Sequence, residues 1–158
     1  MKPVKFKPIG VIHSPFKDRT GIPRQAAMAP EITAKIEIFD EYVDGLSDLE
    51  GFSHIIVIFY LHLIQKGSLK AHPPSDNQER GVFATRSPSR PNPIGISIVR
   101  LESIDRNILN ISRVDMVDGT PVLDIKPYIP DLNPKKGIRV GWLKRKVKAA
   151  SKKKPGSR

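Results

Sequence analysis

Two arginines, Arg86 and Arg90, stand four residues apart in the segment TRSPSRPNPIG, residues 85–95. Each guanidinium presents a planar fork of donors that matches a carboxylate or a phosphate. Pro91 and Pro93 stiffen the backbone around Asn92, and the residue before each proline is pushed toward extended conformations. Gly95, with no side chain, lets the backbone pass close to something bulky. A loop ordered in advance can hold two guanidiniums and the Asn92 amide in fixed positions, as an anion-reading site requires. A rigid surface loop with solvated arginines fits the same residues, and local chemistry leaves both readings open.

A second cluster lies in MVDGTPVLDIKPY, residues 116–128. Asp118-Gly119 predicts a turn whose carboxylate and backbone amides can face a ligand, although such pairs are also ordinary hairpin turns. A third segment, GIPRQAAMAP at 21–30, joins the polar Arg24 and Gln25 to Ala26, Ala27 and Met28. That mixture suits a slot for a flat heterocycle, or equally a loop packed under a larger element. His54 and His62 flank an apolar stretch, where a histidine is commonly a hydrogen-bonded core residue. No histidine–carboxylate spacing points to a metal, and P-loop, GxSxG and GxGxxG patterns are absent. A nucleotide-like cofactor would therefore not sit in a Rossmann crevice.

The elements that must carry these segments are mostly β. Val4 to Ile12 reads as a first strand, with Phe6, Ile9 and Ile12 among its apolar positions. Ala34 to Ile38 alternates with period two, the mark of a half-buried strand. Asp40 to Gly51 has near-helical apolar spacing and predicts a short helix. SHIIVIFYLHL, from Ser53, is β-branched and aromatic without alternation, as in a central strand covered on both faces. Gln65 to Arg80 is polar and reads as a long mobile loop. Gly81 to Thr85 is expected as a strand entering the SPSRPNP turn. Ile94 to Ile104 and Ile108 to Met116 form a predicted hairpin with Asp105-Arg106-Asn107 at its turn, and Val122 to Pro127 is a further strand. Several short strands separated by turns imply a mainly β protein, a barrel or a sandwich, not a βαβ fold.

From about Pro134 the character changes. The chain of 158 residues has a formal net charge of +11. Met1 to Asp131 holds 16 Lys/Arg and 16 Asp/Glu, whereas the last 27 residues hold 11 basic residues and no acid. The charge belongs to a tail, in which Val140 to Ala150 could form one basic helix with Val140, Trp142, Leu143 and Val147 on one side. Such a tail suits a polyanion, foremost nucleic acid, or is a solubilising terminus. There is no cysteine, which removes disulfides, thiolate metal sites and cysteine nucleophiles together and fits a reducing, intracellular compartment. No segment has the apolar length of a membrane span, and no signal peptide is evident.

VFATRSPSRPNPIGISIVRL and DGTPVLDIKPYIP, with PIGVIHSPF and GIPRQ before them, resemble the TsaA-like or TrmO family over roughly Phe6 to Pro130. Members methylate N6 of threonylcarbamoyladenosine, next to the anticodon at position 37 of tRNA. The resemblance implies a single β-barrel over residues 1–133, with short helices and a basic, partly helical extension over 134–158. It also implies a cytoplasmic homodimer that binds S-adenosylmethionine and tRNA without a metal or a membrane. Carried over, the cofactor contacts would be Arg24, Gln25, Ala26, Leu61, His62, Arg86, Ile98 and the turn Asp118, Gly119, Thr120, Pro121. For catalysis the expected residues are Asp118 and His62 as proton acceptors, with Arg90 and Asn92 in the motif loop; Arg86 or Arg90 would read the carboxylate of the modified base. RNA contacts are expected from Lys66, Lys70 and Arg80 in the long loop and from Lys144, Arg145, Lys146 and Lys148 in the tail. A non-catalytic RNA-binding barrel and a methyltransferase acting on a small molecule are the competing readings.

Overall fold

Alternation at residues 34–38 becomes the seam of a closed barrel. The computed structural model describes residues 1–18, 20, 22, 32–74, 76–132 and 136–144. Its strands are β1 (Gly10–His13), β2 (Thr33–Ile38), β3 (His54–Tyr60), β4 (Lys70–Ala71), β5 (Arg80–Gly81), β6 (Ile94–Asp105), β7 (Ile108–Ser112) and β8 (Pro121–Pro127). Six of them close in the order β1-β2-β7-β6-β3-β8, with β8 pairing back to β1, and the short β4 and β5 pair with each other. Every pairing is antiparallel. In β2 the inward residues Ala34, Ile36 and Ile38 are buried. Ile36 lies between Ile12 of β1 and Leu109 of β7, both fully buried.

The register gathers the loops at two ends. His13 lies opposite Lys35, Thr33 opposite Ser112, Tyr60 opposite Ile94 and Val11 opposite Pro121. The segments following β1, β3 and β7 therefore leave from one end, called the mouth here. Those segments are residues 14–32, 61–93 and 113–120, and their described parts include Arg86, Arg90, Asn92 and the turn at Asp118-Gly119. At the opposite end lie 39–53 and the β6–β7 turn, where Arg106 has φ 54° and Asn107 Nδ2 donates to Ile38 O at 2.9 Å.

Gly95 meets the expectation of a close approach. A Cβ there would lie 2.3 Å from the ring of Phe59, the buried β3 residue opposite it.

Several expected elements differ. The strand expected from Val4 begins only at Gly10; Val4 and Phe6 are exposed, because Pro3 and Pro8 withhold the donors a ladder needs. The expected helix at 40–51 is instead two 3₁₀ segments, Asp40–Leu46 and Leu49–Gly51. They are divided at Asp48, whose φ of 64° cannot continue a right-handed helix. β3 is not covered on both faces: Ile55, Val57 and Phe59 are buried, while Ile56 and Ile58 on the outer side are half-buried. A single closed sheet has only one interior.

Residues 65–80 are not a structureless loop. β4 and β5 pair within them, Asp76 binds Arg80 at 2.9 Å, and Lys70 meets Glu79 at 3.5 Å. The expected strand at 81–85 is a 3₁₀ turn, Val82–Ala84, because Thr85 N–H folds back onto Val82 O at 3.1 Å.

The chain divides into two compact units, Met1–Tyr128, which contains the barrel, and Ile129–Arg158. The second unit has short 3₁₀ turns at Pro130–Leu132 and Gly141–Leu143. Of the basic helix expected over 140–150, residues 145–150 lie outside the described residues. Among the described residues no helix is long and apolar enough to cross a membrane.

Candidate active site at the barrel mouth

The turn 117–121 sits at the mouth because β8 starts at Pro121 and pairs there with β1. Gly119 has φ 74°, a conformation glycine adopts without strain. Its N–H donates to Ile12 O at 2.8 Å, and the N–H of Asp118 donates to Phe16 O at 2.7 Å. Ser14 closes the arrangement: its Oγ donates to Met116 O at 2.7 Å and its N–H to Asp118 Oδ1 at 3.0 Å. Lys17 Nζ binds the other carboxylate oxygen at 2.7 Å. The Lys17 ammonium and the Ser14 amide hold the Asp118 carboxyl below its usual value of 3.8. An ionised carboxylate so stabilised is a weak base and a firm brace for the turn.

His62 comes to the same place from β3. Tyr60 ends the strand, and His62 N–H donates to Tyr60 O at 2.9 Å, turning the chain at the mouth. Its Nδ1 lies 3.5 Å from the buried Thr120 hydroxyl, at the long end of hydrogen-bond range. Leu61 and His62 are both half-buried. The structure thus brings His62, Leu61 and the turn 118–121 together from segments 58 residues apart.

The two motif arginines are not equivalent. Arg86 is exposed and, among the described residues, makes no hydrogen bond or ion pair. Arg90 is half-buried; its Nη1 donates to Thr85 O at 3.0 Å and to Val82 O and Ser87 O at 3.3 Å each. Its guanidinium carbon lies 5.9 Å from the centroid of the Phe83 ring. Asn92 is exposed at the tip of the turn. Ile98 is on the outer face of β6, away from the interior.

Of the expected RNA contacts, Lys66, Lys70 and Lys144 are exposed, whereas Arg80 is half-buried against Asp76. Arg24, Gln25, Ala26, Arg145, Lys146 and Lys148 lie outside the described residues.

Sequence reasoning missed Ser14, Lys17 and Arg113. Ser14 lies within the noted PIGVIHSPF and Lys17 directly follows it, but neither carries a spacing signal toward Asp118, more than a hundred residues on. Arg113 is an exposed arginine at the mouth with φ 64°, a backbone state that costs a side-chain-bearing residue about 1–2 kcal/mol. Its N–H is tied to Ile32 O at 3.0 Å. At the opposite end the segment Phe39 to Ser53 carries Asp40, Glu41, Asp44, Asp48 and Glu50 and no Lys or Arg, while Lys2, Lys5, Lys7 and Arg106 lie in the segments beside it.

Acid sensitivity follows from the brace. Glu102, bonded by Ser112 Oγ and Arg100, is likewise held below its usual value. A carboxyl whose folded pKa is depressed adds stability above its unfolded pKa, and that stability disappears as pH falls through the folded value. Urea midpoints should therefore hold from neutrality down to about pH 4 and then fall, less steeply in Asp118→Asn. An identical acid limb in that variant would show that Asp118 is not a contributor.

A family profile described as the tRNA-methyltransferase O N-terminal domain matches residues 11–133. A probable S-adenosyl-L-methionine-binding protein of Pyrococcus abyssi is 49% identical over 142 residues, covering 90% of this chain and 77% of that protein. The tRNA (adenine(37)-N6)-methyltransferase of Escherichia coli is 41% identical, covering 82% of this chain and 60% of that protein. The crystal structure of TrmO from Pseudomonas aeruginosa superposes with a TM-score of 0.75 at 39% identity, covering 89% of this chain. The present chain spans 62% of that structure's length.

Proposed function

This chain belongs to the tRNA-methyltransferase O family, and from that membership we propose that it is an S-adenosylmethionine-dependent tRNA methyltransferase acting on N6 of the adenosine at position 37. The substrate form we propose is threonylcarbamoyladenosine. The observation that carries this reading is that, at one barrel mouth, His62 lies 3.5 Å from Thr120 of the turn 118–121 while the adjacent Leu61 N–H donates to Pro93 O of the TRSPSRPNPIG loop at 2.7 Å, and Arg86 stands without a partner among the described residues.

The residues at the mouth fit such a cofactor chemically. Arg86 offers a free fork to a carboxylate, Gly119 leaves the turn backbone open with nothing near an added Cβ, and Leu61 supplies an apolar wall. Arg24, Gln25 and Ala26 are proposed as further contacts, whereas Ile98, on the outer face of β6, is assigned below to the dimer face. When bound, S-adenosylmethionine supplies a methyl group already activated on a sulfonium centre, so the protein's tasks are alignment and proton removal. The acceptor nitrogen of threonylcarbamoyladenosine is urea-like and must lose its proton. His62 is the acceptor we propose, because Asp118 is engaged by Lys17 and Ser14. Asn92, exposed beside the prolines, is proposed to orient the base.

The RNA would approach the mouth, where Lys66, Arg86 and Arg113 are exposed, and not the acidic segment Phe39 to Ser53. Lys70 and the tail residues Lys144, Arg145, Lys146 and Lys148 would add sequence-independent attraction that falls steeply with salt. We propose a cytoplasmic location, where tRNA of this kind would be met.

A homodimer is proposed through the outer face of β3 and β6. There Ile94, Ile96 and Ile98 are 40%, 57% and 44% exposed in a row, beside Tyr60. A contiguous apolar strip of this kind marks an interaction surface. Ile96→Lys should give a monomer by light scattering with its circular dichroism intact; an unchanged mass would rule this face out.

Incubation with S-adenosylmethionine and tRNA bearing threonylcarbamoyladenosine, followed by nucleoside mass analysis, tests the function. Methylation confined to that nucleoside is expected. Retention of the cofactor without product would overturn the tRNA assignment in favour of a small-molecule acceptor.

A further inference from the structure

The motif loop contains two guanidiniums, but only one faces outward. Arg90 Nη1 collects the carbonyl oxygens of Val82, Thr85 and Ser87. Two of these, Thr85 O and Ser87 O, belong to the residues immediately before and after Arg86. The peptide on each side of Arg86 is thereby tied to one nitrogen. Thr85 N–H closes on Val82 O at 3.1 Å and Ser87 N–H on Thr85 Oγ1 at 3.2 Å, so the same stretch is held by its own donors as well. Carbonyl dipoles converging on one point repel each other unless a cation lies between them.

Arg90 is itself anchored from behind. Arg90 N–H donates to Pro88 O at 2.9 Å, and Ser68 N–H donates to Ser89 O at 3.2 Å. Gly67 packs so closely that a Cβ there would lie 2.4 Å from Arg90 O. Phe83 lies against the guanidinium at 5.9 Å. The result is a braced platform from which the Arg86 side chain projects into solvent.

We propose that Arg90 is a positioning residue that pins the backbone of Arg86 from both sides, leaving Arg86 as the motif's contact for a carboxylate at the mouth. The proposal rests on the methyltransferase reading for its functional half, and on contacts alone for the clamp. It accounts for the four-residue spacing: the chain must turn back on itself between the two arginines for one to reach the carbonyls flanking the other. Lysine, with three donors on one nitrogen, can serve the same carbonyls but cannot reproduce a bidentate fork.

Amide hydrogen exchange and a double-mutant cycle test it together. In Arg90→Met the amides of Thr85 and Ser87 should exchange faster, and in Arg90→Lys they should stay near the wild-type rate. Single-turnover methyl transfer should fall about 10–100-fold in Arg90→Met through misplacement of Arg86. The double variant Arg86→Ala/Arg90→Met should then match Arg86→Ala alone within about twofold. Losses that multiply would show that Arg90 contacts the reactants itself and would overturn the proposal, as would unchanged exchange in Arg90→Met. Should Arg90→Met fail to fold, Arg90→Lys decides: near-full activity supports a carbonyl clamp, and a loss equal to that of Arg86→Ala opposes it. A wild-type protein without methyl transfer would defeat the functional reading, with the exchange comparison still deciding the clamp.

Discussion

His62→Ala is expected to lower the single-turnover rate of methyl transfer by about 10²–10⁴-fold, the usual contribution of a positioned proton acceptor. Its imidazole is half-buried at the mouth, with Nδ1 toward the Thr120 hydroxyl at 3.5 Å. That contact orients the ring and leaves the second nitrogen without a partner among the described residues. Binding of S-adenosylmethionine, followed by calorimetry, should weaken far less than the rate, because the turn 118–121 is held by Ser14, Lys17 and the β1 backbone independently of the ring. Asp118→Asn discriminates the two proton acceptors. The amide still accepts from Ser14 N–H, so turnover should persist if His62 is the base. A full rate in His62→Ala, with loss in Asp118→Asn, would exchange their roles.

The second large effect concerns the fold. Ile36→Ala should cost about 2–5 kcal/mol, as large-to-small changes in closed cores do. Ile36 is fully buried and paired on both sides, to Ile12 and Leu109. A closed barrel has no edge through which it can relax into the void. Against a typical total of about 5–15 kcal/mol, such a loss removes a large share of stability. Lys35→Ala is the matched control: truncating the exposed neighbour on the outer face of the same strand should leave the urea midpoint almost unmoved. Equal losses at the two positions would contradict the inside–outside assignment of the strands.

Most of the barrel was legible where side-chain period and turn chemistry agree. The alternation of Ala34 to Ile38, the hairpin turning at Arg106-Asn107 and the strand over Val122 to Pro127 lie where local pattern puts them, whereas the strand expected to run to Met116 ends at Ser112, before Arg113 with φ 64°. Gly95 was legible as a close approach, though not as an approach to Phe59. The failures share one cause. Apolar spacing at Val4 and Phe6 looks like a strand until prolines deny it a partner, and the run from His54 looks doubly covered until the sheet closes and turns Ile56 and Ile58 outward. Residues 65–80 looked structureless because a two-residue ladder closed by Arg80 and Asp76 has no period to detect.

The site divides in the same way. Residue types by themselves determined that TRSPSRPNPIG would be a stiff turn bearing guanidiniums and that Asp118-Gly119 would be a tight turn, because proline and glycine act through the local backbone. They also placed the excess positive charge in the tail, which is a matter of counting. Tertiary structure decided which groups meet: His62 with Thr120, Lys17 and Ser14 with Asp118, Arg90 with the carbonyls around Arg86. Those partners depend on strand order and register, which no local pattern encodes. From the spacing of the two arginines alone, both looked like forks for an anion. Only the folded loop shows that one of them is already occupied in holding the other.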